Sequence, residues 1–344
     1  MKIALINTFT PFVRGGAEIA VEDLYDQLKI RGHKVTLFRI PFPDDYEVSL
    51  LETVLACKML RFTSYDRVIA FKFPAYCVYH PQKVLWLFHQ FRQVYELFGR
   101  EYGIDDNKEG RALKSIITNI DNEEIGCSYL KYCIAKEVAK RLKKYNNLNA
   151  TVISLPLMNS EAYYCNATGD YIYYPSRVTP LKRQHLAIEA MRYVETDVKL
   201  VLAGICKEAE YENHLKDLIN KYKLADKVLW ENTWVDNSEK IKTLANALGV
   251  MYIPYKEDSC GFVTLEGFYS SKPVLSCTDS GGTAEFIKNN YNGYITEPEP
   301  RVLATVMDAL FNNKELAKKI GLNAREYILQ RNITWDETIR RLLA

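Results

Sequence analysis

The chain has 344 residues, more than one ordinary core accommodates and about right for two domains of roughly 100 to 200 residues each. With 48% hydrophobic and 26% charged residues and only 16 glycines and 12 prolines, long disordered tracts are excluded and the whole chain is expected to fold. A formal charge of +2 excludes the strong basic bias of a dedicated nucleic-acid binder, so no nucleic-acid partner is expected.

The first residues, MKIALINTF, are apolar only as far as Thr8, too short a run for a signal peptide or a membrane span, and they read as a strand. The eight cysteines (57, 77, 127, 133, 165, 206, 260 and 277) show no Cys-x-x-Cys pair and no histidine at zinc-ligand spacing, so reduced thiols in a cytoplasmic protein are expected. Strands are predicted at Lys2 to Asn7, Lys34 to Ile40, Asp66 to Phe71 and Val84 to Phe88. Ile19, Ala20, Leu24 and Leu28 recur at helical spacing between the first two, and Gly32 suits a left-handed helix end. Residues 129 to 144 are predicted as one helix, with Ser128 as its N-cap. Its basic end, Lys140, Arg141, Lys143 and Lys144, complements the helix dipole, with a peripheral membrane contact as the sharper alternative.

The polar stretch NSEAYYCNATGD after Pro156 marks the domain boundary, giving domains at 1–160 and 161–325 with a final segment 326–344. Beyond it, strands are predicted at Tyr171 to Pro175, Lys199 to Ala203, Lys227 to Trp230, Gly249 to Ile253, Pro273 to Cys277 and Gly293 to Ile295, and residues 300–344 are helical throughout. Strands alternating with helical segments in both halves predict an α/β protein of two Rossmann-like domains with parallel sheets.

Five segments carry candidate chemistry. Gly15-Gly16 stands before the first helix, where outward, unpaired amides suit an anion; the loop is too long for the G-x-G-x-x-G pattern, which disfavours a nicotinamide enzyme. Arg177 and Lys182 follow a strand, at the carboxyl edge where such sheets bind ligands, and a diphosphate would satisfy both. Residues 255 to 277 place Glu257 and Asp258 in a loop before a helix opened by Gly261, Phe262, Val263 and Thr264, with Glu266 in its first turns; free amides suit phosphates and carboxylates suit sugar hydroxyls. Gly281-Gly282 again precede a predicted helix, with Glu285 in its first turn. His89, Gln90 and Arg92 end an apolar strand of the first domain.

Together these segments resemble the retaining nucleotide-sugar glycosyltransferases of family 4, with the GT-B fold of two Rossmann-like domains facing across a cleft. The family's Glu-x(7)-Glu motif matches Asp258 and Glu266, and its Gly-Gly-x-x-Glu segment matches Gly281, Gly282 and Glu285. The resemblance implies that Arg177 and Lys182 neutralise the donor diphosphate, Glu266 holds the ribose, residue 258 holds sugar hydroxyls, and the amides of Gly261 to Thr264 meet sugar and phosphates. Gly15, Gly16 and His89 would serve the donor from the first domain, and the C-terminal helix would cross back to that domain. The chain departs from the motif at Asp258, one methylene shorter than Glu; either Asp258 grips the sugar differently or the loop presents Glu257.

The implied reaction is transfer of a sugar, with retention, from a UDP- or GDP-sugar to a glycan or lipid-linked acceptor. No cofactor is expected, and no Asp-x-Asp motif suggests a metal. The base is expected near Trp230 to Asp236, and the acceptor near Thr8 to Arg14 and His89 to Glu101. The alternatives are a nucleotide-sugar epimerase and a non-catalytic sugar-nucleotide binder or scaffold subunit of a polysaccharide assembly complex.

Overall fold

A computed structural model describes residues 1–11, 14–42, 46–257 and 261–344, and the chain divides into two units, Met1–Pro156 with Ile333–Ala344, and Leu157–Asn332. The break therefore falls just ahead of the polar stretch, and the chain returns to the first unit at Ile333.

The first unit runs β1 (Lys2–Phe9), α1 (Gly16–Ile30), β2 (Lys34–Pro41), α2 (Tyr46–Met59), β3 (Arg67–Lys72), β4 (Lys83–His89), α3 (Lys108–Gly126), β5 (Leu130–Cys133), α4 (Lys136–Asn146) and β6 (Thr151–Val152). Its six strands lie in the order β2-β1-β3-β4-β5-β6 and every pair is parallel. Ile3 to Ile6, Val68 to Phe71 and Val84 to Leu87 are buried on both faces, which is why they read as unbroken apolar runs rather than alternating ones.

The single helix predicted over 129–144 is instead β5 followed by α4. Leu130 to Cys133 pair with Val84 to Leu87 of β4, and that ladder overrides the helical pattern of the local sequence. The basic cluster also divides: Arg141 is buried on Glu96 and Glu137, leaving Lys140, Lys143 and Lys144 exposed.

The second unit runs β7 (Tyr171–Pro175), α5 (Gln184–Ala190), β8 (Lys199–Ala203), α6 (Ala209–Lys221), β9 (Val228–Glu231), α7 (Asn237–Asn246), β10 (Gly249–Met251), α8 (Gly261–Tyr269), β11 (Val274–Cys277), β12 (Gly293–Thr296), α9 (Pro300–Asn312) and α10 (Lys314–Gln330). The parallel order is β12-β11-β10-β7-β8-β9. From β7 the chain builds outward through β8 and β9, then returns to β10 on the other side. The reversal leaves a crevice at the carboxyl ends of β7 and β10, where open α/β sheets bind ligands. In the first unit the corresponding reversal lies between β1 and β3.

The last helix, α11 (Trp335–Leu342), belongs to the first unit. Arg67 there donates to the carbonyls of Leu342 (3.2 Å) and Ala344 (2.9 Å), and Tyr132 donates to that of Arg341 (3.2 Å). The seven described cysteines are free thiols.

Helix α10 packs against the end of α8 through Gly321, where a Cβ would lie 2.0 Å from the Ser271 carbonyl oxygen. Alanine gains about 1 kcal/mol of helix propensity over glycine, but overpacking against backbone costs about 1–3 kcal/mol. Gly321→Ala is therefore expected to lower the thermal midpoint measured by calorimetry; a raised midpoint would contradict this packing.

Candidate active site

At the carboxyl end of β7 the chain passes exposed Arg177 and makes a 3-10 turn, Pro180–Lys182. The ammonium of Lys182 forms an ion pair with Glu257 and donates to the Tyr252 hydroxyl at 2.8 Å, which in turn donates to Glu257 Oε2 at 3.2 Å. Tyr252 and Glu257 belong to the loop after β10, so the reversal brings together side chains 75 positions apart. Burial, with Glu257 second, raises the Tyr252 pKa well above the usual tyrosine range, and the charge of Arg177 opposes that shift. Tyr252 thus stays a neutral hydroxyl beside the cation.

Arg183, next in the chain, ties this edge together from a left-handed backbone position (φ 56°). Its guanidinium donates to the carbonyls of Ile253 (2.7 Å) and Pro254 (3.3 Å) and in a fork to Asp279 (2.7 and 2.8 Å). The loops after β10 and β11 then run side by side: Glu257 N–H donates to the Ser280 carbonyl (3.2 Å), and Gly282 N–H to the Glu257 carbonyl (2.8 Å). Only glycine fits at Gly281, whose φ is +66° and whose Cβ would stand 2.3 Å from the Glu257 carbonyl oxygen. Gly261 is under the same constraint, with φ +71° and a Cβ that would meet the Tyr252 ring at 2.4 Å.

Helix α8 is buried from Val263 to Tyr269. Glu266 is 4% exposed, and its Oε1 accepts from Lys240 Nζ at 2.5 Å and from Tyr163 hydroxyl at 3.1 Å. Among the described residues none donates to its Oε2. Thr264 is wholly buried, and among the described residues its hydroxyl has no partner; Phe262 is half-buried. The helix predicted after Gly281-Gly282 is a 3-10 turn, Gly282–Phe286, carrying half-buried Glu285; Gly282 commits its amide to the neighbouring loop. Asp258 lies outside the described residues.

In the segment expected near a base, Trp230 donates to the Gly204 carbonyl (3.2 Å), while Asp236 caps the helix that carries Lys240. The second unit thus joins Lys182, Glu257, Gly261 and the Gly281-Gly282 loop at one edge. Tyr252, Arg183, Lys240 and Tyr163 were missed in the sequence. Arg183 directly follows Lys182 in the sequence, a local signal that could have found it; Lys240 and Tyr163 come from distant segments with no local signal.

The remaining predicted residues occupy the first unit's own sheet edge. A hollow of about 140 Å³ opens at the carboxyl ends of β1, β3 and β4, walled by Phe9, Phe42, Phe73 and Phe91 with Lys72 and His89. His89 Nδ1 lies 2.8 Å from the Gln90 carbonyl oxygen, which can only accept, so Nδ1 carries the proton. The amide of Gly15 does not point outward unpaired: it donates to Glu18 Oε2 at 2.9 Å, while Glu18 Oε1 holds Lys72 at 2.8 Å. Gly16 is the first residue of α1. Arg92 is bound to Glu96 (2.9 Å), which also takes Arg141 (3.0 Å).

Residues 161–327 match the model of the glycosyl transferases group 1 family. An uncharacterised glycosyltransferase of Methanocaldococcus jannaschii is 21% identical over 98% of this chain and 96% of its own length. A human α-1,3/1,6-mannosyltransferase is 27% identical over 44% of this chain and 38% of its own, so likeness to that enzyme is confined to part of both. Among solved structures, HepE of Anabaena in complex with UDP and glucose superposes with a TM-score of 0.74 at 18% identity, covering 100% of this chain and 99% of that one. Sucrose-phosphate synthase of Thermosynechococcus elongatus gives 0.79 at 17% identity, with 99% of both chains covered. The fold is GT-B. The second unit carries the segment that matches the glycosyl transferases group 1 family, and the relatives matched along the chain are glycosyltransferases. Among the described residues no helix is long and apolar enough to cross a membrane, and no side-chain group could hold a metal ion.

Burial would by itself raise the Glu18 pKa, but Lys72 and the Gly15 amide outweigh it and hold the carboxyl below its ordinary 4.5. A depressed carboxylate adds stability that is present above its unfolded pKa and lost as pH falls through the folded one. The thermal midpoint of wild type should therefore exceed that of Glu18→Gln at pH 7, and the gap should close below pH 4.5. A gap independent of pH would remove this account of the α1 terminus.

Proposed function

We propose that the chain transfers a sugar, with retention of configuration, from a nucleoside-diphosphate sugar to a glycan or lipid-linked acceptor in the cytoplasm. The observation that carries this reading is Lys182, whose ammonium stands with Tyr252 and Glu257 at the carboxyl ends of β7 and β10. A diphosphate there competes with Glu257 for the Lys182 ammonium and gains the exposed Arg177 as a second cation. UDP is favoured as the nucleotide, since HepE, which shares the fold, binds UDP and UDP-glucose.

Glu266, fixed through Oε1 by Lys240 and Tyr163, offers Oε2 to the ribose hydroxyls. Displaced from Lys182, Glu257 can turn to the sugar, sharing that role with Asp258. The helix start at Gly261 to Thr264 and the Gly281-Gly282 loop approach sugar and phosphates with bare backbone, and Glu285 stands behind that loop.

As the anomeric bond breaks, negative charge grows on the leaving phosphate. Lys182, preorganised by Tyr252 and by the neighbouring Arg183, takes up that charge together with exposed Arg177, without a metal or cofactor. The same phosphate deprotonates the acceptor hydroxyl on the face it leaves, which gives retention. His89, beside the aromatic hollow of the first unit, serves the transferred sugar, Gly15 and Gly16 serve the donor phosphate, and Arg92 lies on the acceptor side. Exposed Lys140, Lys143 and Lys144 on α4 suit a peripheral contact with an anionic membrane surface bearing a lipid-linked acceptor.

A thermal-shift and calorimetric titration with UDP and GDP tests the donor assignment; a nucleotide at 100 times its dissociation constant stabilises by about 2.7 kcal/mol. Lys182→Ala and Arg177→Ala are each expected to weaken UDP binding at least tenfold, about 1.4 kcal/mol, and to abolish transfer with the circular dichroism spectrum unchanged. The lysine variant should suffer more, because it also removes the cation paired with Glu257, whose charge then faces the phosphates. Near-normal UDP affinity and turnover in both variants would sink the assignment.

A further inference from the structure

Behind the His89 edge lies a carboxylate that the transfer reaction does not use. Asp121, on α3, is wholly buried and accepts from the hydroxyls of Tyr76 (2.6 Å) and Tyr95 (2.8 Å) and from Gln90 Nε2 (3.2 Å). All three donors are neutral, and among the described residues no cation pairs with it. Burying a carboxylate without a counter-charge is expensive, so such a group is poor material for a purely structural knot. Burial pushes its pKa up to about 6, against the pull of those three hydrogen bonds.

What the carboxylate grips is more informative than what it stabilises. The second N–H of Gln90 goes to Asn146 Oδ1 at 2.6 Å, and Asn146 donates onward to Asn122 Oδ1 at 2.8 Å. With both amide protons committed to acceptors on α3 and α4, the Gln90 side chain has one orientation, which anchors residue 90 beyond the end of β4. The carbonyl of that residue is the acceptor for His89 Nδ1–H. The tautomer of a histidine is set by the hydrogen bond its other nitrogen makes.

We propose that Asp121 is a positioning residue: through Gln90 it holds His89 as the Nδ1–H tautomer, turned at the end of β4 toward the aromatic hollow. In that tautomer the lone pair is on Nε2, the atom that would accept from a sugar hydroxyl. The inference rests on the reading that His89 serves the sugar, but the tautomer itself can be observed without substrate.

Long-range ¹H–¹⁵N spectra of the full-length labelled chain at neutral pH resolve the tautomers of its five histidines, with His89 assigned from the signal lost in His89→Gln. Wild type should show His89 protonated on Nδ1. Asp121→Asn and Gln90→Ala should each give a mixture with Nε2–H. In transfer assays both should lower kcat roughly ten- to a hundredfold, as lost positioning does, with the donor KM little changed. If Asp121→Asn does not fold, Gln90→Ala carries the test, since it leaves Asp121 its two tyrosine donors. His89 remaining wholly Nδ1–H in a folded Gln90→Ala protein would overturn the proposal. A failure to bind UDP would count against the donor assignment alone and leave the tautomer result standing.

Discussion

The guanidinium of Arg183 holds the second unit's working edge in one shape. Its donors reach the loop after β10 through two carbonyls and the loop after β11 through both oxygens of Asp279. Its own backbone, in the left-handed region, swings the chain from the Pro180–Lys182 turn into α5. A planar fork can do this where a lysine could not, because several donors at fixed angles reach both loops at once. Lys182 is then presented by a turn whose carbonyl is itself gripped by the Tyr174 hydroxyl, so the cation stands on a rigid base. Preorganisation of this kind lets a site stabilise leaving-group charge without reorganising at the moment of reaction.

The first unit is built on the opposite arrangement. Its edge depends on carboxylates that look inward: Glu18 closes the start of α1 and neutralises Lys72, Glu96 takes both Arg92 and Arg141, and Asp121 sits among hydroxyls and amides. Cations expected to meet a ligand there, Arg92 above all, already have partners. Beside His89 the hollow combines aromatic walls with the polar side chains of Thr8, Thr10, Gln90 and Gln93, and with Lys72, whose charge Glu18 meets.

Much of the architecture was legible because parallel strands buried on both faces leave continuous apolar runs, and the predicted spans at Tyr171–Pro175 and Lys199–Ala203 coincide with β7 and β8. The helix predicted over 129–144 failed for a related reason. Leu130–Cys133 is a short edgeward strand whose identity comes from its ladder with β4, and four residues carry too little pattern to outvote the helical stretch that follows. The outward amide expected at Gly15 failed because Glu18 folds back onto it, a contact a sequence permits but does not announce.

Glycines 261 and 281 and the cations 177 and 182 could be singled out from the chain because their chemistry is local: a turn before a helix, a charge after a strand. The sequence by itself determined the α/β class, the two-unit organisation and the residue types able to meet phosphate and sugar. Only the tertiary structure decided which of them meet. The order reversal at β7 and β10 carries Lys182 to Tyr252 and Glu257, and the helix packing brings Lys240 and Tyr163 onto Glu266. Hydrogen bonds of that kind act over about 3 Å in space and take no account of separation along the chain.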